Sequence, residues 1–103
     1  MNFGQIVLNI PENIMKFSDL NFQQHPSFKT GVQALHFFPN GYGVSVVKNE
    51  QSYGGKEGLY EVAILKGDEK RWQICYETIF TDDVLGWQST EDVTDILHAL
   101  EKF

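Results

Sequence analysis

VQALHFFPNGYGVSVVK, residues 32–48, sets two apolar, β-prone runs on either side of Pro39-Asn40-Gly41-Tyr42. An Asn-Gly pair between such runs signals a hairpin, because a two-residue type I′ turn needs positive φ at both central positions. With Asn40 and Gly41 in those positions, Phe37 faces Val44 and Leu35 faces Val46. That register predicts a core face of Leu35, Phe37, Val44 and Val46. Ala34, His36, Phe38, Ser45 and Val47 fall on the other face.

Downstream, NEQSYGGKEG (49–58) is a ten-residue loop with three glycines and Tyr53. LYEVAILK (59–66) reads as a third strand, 67–70 as a turn, and RWQICYE (71–77) as a fourth strand with period-2 alternation. Residues 78–88 read as a surface segment that tucks Ile79, Phe80, Val84 and Leu85 under the sheet. TEDVTDILHALEK (90–102) is the best helix, with Val93, Ile96, Leu97 and Leu100 at i, i+3, i+4, i+7. Ser89 with Asp92 resembles a capping box that uses Asp in place of Glu or Gln. Upstream, residues 3–10 alternate weakly and suit an edge strand, Ser18-Asp19 starts one helical turn, and 23–31 is a loop. The expectation is one α+β domain over 1–103: a four-stranded antiparallel meander with the C-terminal helix packed on one face. Residues 1–14 are then an N-terminal arm or an edge strand.

At 103 residues with 42% hydrophobic content, the chain is long and apolar enough to form one core unaided. The single cysteine, Cys75, forms no internal disulfide and fits a reducing compartment. No basic leader opens the sequence and no run approaches a membrane span, so a cytoplasmic protein is expected. Residues 1–76 carry seven acids and seven bases. The whole net charge of −6 therefore lies in 77–103, where Glu77, Asp82, Asp83, Glu91, Asp92, Asp95 and Glu101 face Lys102 alone. A surface of that sign repels nucleic acid and attracts basic protein surfaces.

Catalytic chemistry has little to stand on. His36 and Ser45 fall on one face of the expected hairpin, within reach of a cross-strand contact. Such pairs are common on the wet side of a sheet. Cys75 reads as a buried, inert thiol. There is no CxxC, HxxxH or EF-hand loop, and Asp82-Asp83 with His98 is at best an accidental cation site. Gly41-Tyr42-Gly43 and Gly54-Gly55 open no helix and fit no phosphate-binding fingerprint. No catalytic residue, metal or cofactor is expected. Tyr42, Tyr53 and Trp87 sit in turns and loops, where such residues are typical interface anchors. With Asp82, Asp83, Glu91, Asp92 and Asp95 they form the expected partner-binding set. The simpler reading of the acids is a solvated helix face, favoured by the helix dipole.

FFPNGYGVSVV (37–47), SYGG (52–55) with EGLYEVAIL (57–65), and TDDVLG (81–86) together resemble a family of small, uncharacterised bacteriophage and prophage proteins. The likeness spans about residues 15–103. The chain departs from it in the 1–14 extension and in Ile79-Phe80, where the family pattern has a proline-containing TPI. The resemblance implies no enzyme. It implies a small acidic cytoplasmic protein of a mobile element, of a kind that often modulates host systems; the acidic surface makes a host or phage protein with a basic groove the expected partner. Its sharpest form is an inhibitor of a nucleic-acid-handling defence complex such as a CRISPR effector, in the manner of anti-CRISPR proteins. A monomer or homodimer is expected, without direct nucleic-acid or membrane binding. The alternatives are a self-assembly module of a mobile element, or a small ligand- or metal-binding domain.

Overall fold

Among the residues described by the computed structural model, 15–75 and 84–103, regular structure comprises six antiparallel strands and one α-helix. The strands are β1 (Gln23–Gln24), β2 (Val32–Phe37), β3 (Tyr42–Lys48), β4 (Tyr60–Asp68), β5 (Arg71–Ile74) and β6 (Leu85–Gln88); the helix α1 is Thr90–Glu101. Single 3-10 turns occupy Phe17–Asp19 and Gly55–Glu57. The sheet order is β1-β2-β3-β4-β5, and β6 also pairs with β4. β5 takes Leu65–Asp68 and β6 takes Tyr60 and Val62, both along the edge of β4 away from β3.

The class is α+β, as the sequence implies, but the sheet has six strands where four were expected. The four expected strands are β2 to β5. The additional pair are two and four residues long, inside segments 23–31 and 78–88 that read as loop and surface segment. Strands this short carry too few alternations to register as period-2 patterns. The expected edge strand at 3–10, and Ile79 and Phe80, lie outside the described residues.

The hairpin register differs from the expected one by a single residue. His36 pairs with Val44 and Ala34 with Val46, while Phe37 lies opposite Gly43. Phe38 N–H donates to Tyr42 O at 2.7 Å, and Gly41 N–H donates to Phe38 O at 3.3 Å. The connection is thus a three-residue loop, Pro39-Asn40-Gly41, with only Gly41 at positive φ (+88°). Pro39 pre-sets φ for the first central position of a type I turn, and Gly41 supplies the left-handed residue that follows it. A one-residue slip exchanges the two faces. The core face carries Ala34, Phe38, Val44 and Val46, whereas Leu35 is 41% exposed and Phe37 half-buried on the opposite side.

α1 lies across that core face. Val93, Ile96, Leu97 and Leu100 pack on Ala34, Phe38, Val44, Val46, Val62, Ile64 and Leu20. Full burial of a Val or Leu side chain contributes about 1.5–3 kcal/mol, so these side chains dominate the stability. The helix start is the capping box the sequence suggests. Asp92 N–H donates to Ser89 Oγ at 3.1 Å, and Ser89 N–H donates to Asp92 Oδ2 at 2.9 Å. Its far end meets the hairpin tip: Asn40 Nδ2 donates to Leu100 O at 2.9 Å, Phe103 O at 3.3 Å and Glu101 O at 3.4 Å. The Tyr42 ring stands edge-on to Phe103 at 5.2 Å. Near the helix start, Phe17 N–H donates to Thr94 Oγ1 at 2.9 Å, and the rings of Phe17, Phe22 and Tyr60 cluster within 5.0–5.7 Å.

Candidate partner-binding surface

Two large aromatic side chains stand out into solvent beside the helix start. Tyr53 is 61% and Trp87 57% exposed. They belong to segments 34 residues apart in sequence, and Trp87 N–H donates to Tyr53 O at 3.1 Å. The loop that carries Tyr53 is tightly hydrogen-bonded. Buried Asn49 accepts from Gln51 N–H at 2.8 Å through Oδ1, and its own N–H donates to Ser52 Oγ at 3.0 Å. Gly54 and Gly58 take positive φ on either side of the 3-10 turn, and Leu59 N–H returns to Gly54 O at 2.9 Å.

Trp87 sits in a β-bulge. Tyr60 pairs with Gln88 and Val62 with Leu85, so Gly86 and Trp87 together oppose Glu61. Trp87 has φ +60°, the only non-glycine residue at positive φ among the described residues. A left-handed backbone costs an L-residue about 1–2 kcal/mol. Bulges re-aim side chains, and here the bulge turns the indole away from the core. Gly86 makes the approach possible, since a Cβ there would lie 2.5 Å from Tyr53 Cβ. Gly54 is equally tight, its hypothetical Cβ lying 2.9 Å from Trp87 Cα.

Two residues past Trp87, Ser89 opens α1, which presents Glu91, Asp92 and Asp95, all exposed. The Asp92 carboxyl is held below the usual carboxylate range, chiefly by the hydrogen bond from the Ser89 backbone and then by the Ser89 hydroxyl. Asp92 therefore stays charged while capping the helix. Asp82 and Asp83 lie outside the described residues. Tyr42 stands apart from this group. It is half-buried at the hairpin tip, near the other end of α1 and the length of β3 away from the Tyr53 loop, roughly 20 Å.

The remaining candidates do not assemble. Ser45 lies opposite Leu35, and His36 opposite Val44, so His36 and Ser45 point to different faces of the sheet. The contact that the expected register allowed is absent. Ser45 Oγ instead accepts from Gln33 Nε2 at 3.1 Å. His36 stacks edge-on against Phe38 at 4.8 Å, and burial lowers its pKa, with nearby Glu101 partly opposing. Cys75 is half-buried, its N–H bound to Ile64 O. No group of three or more His, Cys, Asp or Glu is placed to hold a metal ion among the described residues. His98 Nε2 is buried without a hydrogen-bond partner. Across the sheet from α1 runs a groove of about 410 Å³, with Phe28, Gln33, Ser45, Val47, Trp72 and Ile74 in its walls.

Two functional features escaped the sequence reading. Gly86 drew no reading of its own within the 78–88 surface segment; the signal there is a glycine directly before an aromatic residue. The Asn40 amide serves the helix terminus, and nothing local to the hairpin reveals a partner 60 residues away. Among the described residues, no helix is long and apolar enough to cross a membrane. Comparison with protein-family models, with curated proteins and with solved structures found no match to this chain.

Proposed function

We propose that this chain is a small non-enzymatic protein that binds another protein through Tyr53 and Trp87, flanked by the acidic start of α1. The observation that carries the reading is Trp87: a bulky residue kept at positive φ, more than half exposed, and backbone-bonded to a second exposed aromatic. Strain held at an exposed aromatic marks a site where the side chain's position serves something beyond the core. The occupant that fits is a face rich in Lys or Arg. Aromatic faces attract such cations, and Glu91 and Asp95 supply opposite charge a turn away. The concentration of net negative charge in 77–103 supports the same partner chemistry. The sharpest form, an inhibitor in the host cytoplasm that occupies the basic groove of a nucleic-acid-handling defence complex, rests on the phage-family resemblance and this charge. Its test is a pull-down from host lysate with wild type, Tyr53→Ala/Trp87→Ala and Glu91→Lys/Asp95→Lys. Capture of a Lys- or Arg-rich protein, lost in both variants at unchanged melting temperature, supports the reading. Capture that survives both variants refutes it.

Self-association is a second reading with one observation behind it. On the sheet face away from α1, Leu35, Trp72 and Ile74 are all exposed. Light scattering at high concentration decides it, since a strict monomer removes this reading.

A further inference from the structure

Asn40 is the only asparagine in the chain followed by glycine. That dipeptide is the one most open to intramolecular attack, because glycine has no side chain on its Cα to shield the backbone nitrogen. Gly41 is exposed, and the space a Cβ would occupy there is empty to 4 Å. Yet every group the reaction uses is engaged. Gly41 N–H, the nucleophile, donates to Phe38 O. Asn40 Oδ1 accepts from Tyr42 N–H at 3.0 Å. Asn40 Nδ2, the leaving group, donates to Leu100 O, Glu101 O and Phe103 O.

We propose that Asn40-Gly41 is a self-modifying latch: deamidation of Asn40 is held back by its grip on the end of α1 and, once it occurs, releases that end. The Gly41 nitrogen attacks Asn40 Cγ, forming the new C–N bond of a succinimide. The Cγ–Nδ2 bond breaks, and ammonia departs with the proton from Gly41. Water then opens the ring at either carbonyl, giving aspartate or isoaspartate without any change of oxidation state. The product cannot renew the contact. A carboxylate has no N–H to donate, and it meets three carbonyl oxygens at the negative end of the helix dipole. An isoaspartate also lengthens the backbone of a three-residue loop whose register has no slack.

The experiment follows full-length protein at mildly alkaline pH, folded and in urea. Intact mass and isoaspartyl methyltransferase labelling detect the reaction, and peptide mapping assigns it to Asn40. Deamidation should run roughly tenfold or more slower in the folded protein, since the side chain must first lose its hydrogen bonds. Phe103→Ala, which removes the ring packed on Tyr42, should accelerate the folded-state reaction. The deamidated fraction, separated by ion exchange from the same incubation, should melt at a lower temperature than the unmodified fraction. Equal rates folded and unfolded would show that the helix end does not gate Asn40. Equal melting of the two fractions would show that the amide does not hold the helix. Either result overturns the proposal.

Discussion

Replacing Trp87 separately by glycine and by alanine isolates the backbone strain at the candidate surface. Both substitutions delete the indole, so lost packing cancels between them. What differs is the cost of φ +60°. Alanine retains a left-handed penalty of about 1–2 kcal/mol, while glycine has none. Against this, glycine loses about 0.5–1 kcal/mol more conformational entropy on folding. The net expectation is that Trp87→Gly exceeds Trp87→Ala in stability by about 0.5–1 kcal/mol, reversing the order found at ordinary strand positions. Urea unfolding measures this. Trp72 remains as the fluorescent probe, since the chain has two tryptophans. With a slope of about 2 kcal/mol/M the midpoints should differ by roughly 0.3–0.5 M. Binding should be lost in both, which separates the side chain's role from the strain. If Trp87→Ala proves as stable as Trp87→Gly, the bulge does not strain Trp87, and the argument from strain to function fails with it.

The hairpin register is tested by neighbouring residues: Ala34→Asp buries a charge on the fully buried face and should cost roughly 3–5 kcal/mol. Leu35→Asp, on the open face, should stay within about 1 kcal/mol by urea unfolding; the opposite order would restore the type I′ register. Leu97→Ala, at a fully buried helix position, should cost about 2–5 kcal/mol, and a smaller loss would mean that α1 is not packed as described. His36 has its folded pKa lowered by burial below the ordinary 6.5, so its neutral form favours folding. That stability is fully present above the unfolded pKa and falls as pH drops through 6.5 towards the folded value. His36→Gln should flatten melting temperature against pH across that window, and an unchanged slope would place the dependence elsewhere.

The sequence disclosed those elements whose signal is local and long enough to repeat. β2 to β4 announce themselves as apolar, β-prone runs, β5 by alternation, α1 by its 3.6 period, and the Ser89–Asp92 box by spacing alone. Asn40-Gly41 located the hairpin to within a residue, yet the wrong turn was inferred. Pro39 favours a type I turn, and the Asn40 amide is drawn to carbonyls 60 residues along the chain. A long-range contact of that kind leaves no mark on the dipeptide, and a single residue of slip was enough to exchange the predicted faces. Tyr53 and Trp87 were legible as exposed aromatics, but their adjacency was not. It depends on a bulge in a four-residue strand and on the closeness of Gly86 and Gly54.

The order in which β4 and α1 leave the ribosome has its own consequence. β2, β3 and β4 pair as nearest neighbours, so a chain ending near Asp68 already contains the central meander. Its apolar face, from Ala34 to Ile64, has Leu20 to pack on it but lacks α1 until residues 90–101 arrive. At roughly 5–20 residues per second, synthesis of residues 69–103 leaves that face without the helix for about 2–7 s. During that interval the nascent chain exposes the surface that chaperones, or its own neighbours on the same message, would bind.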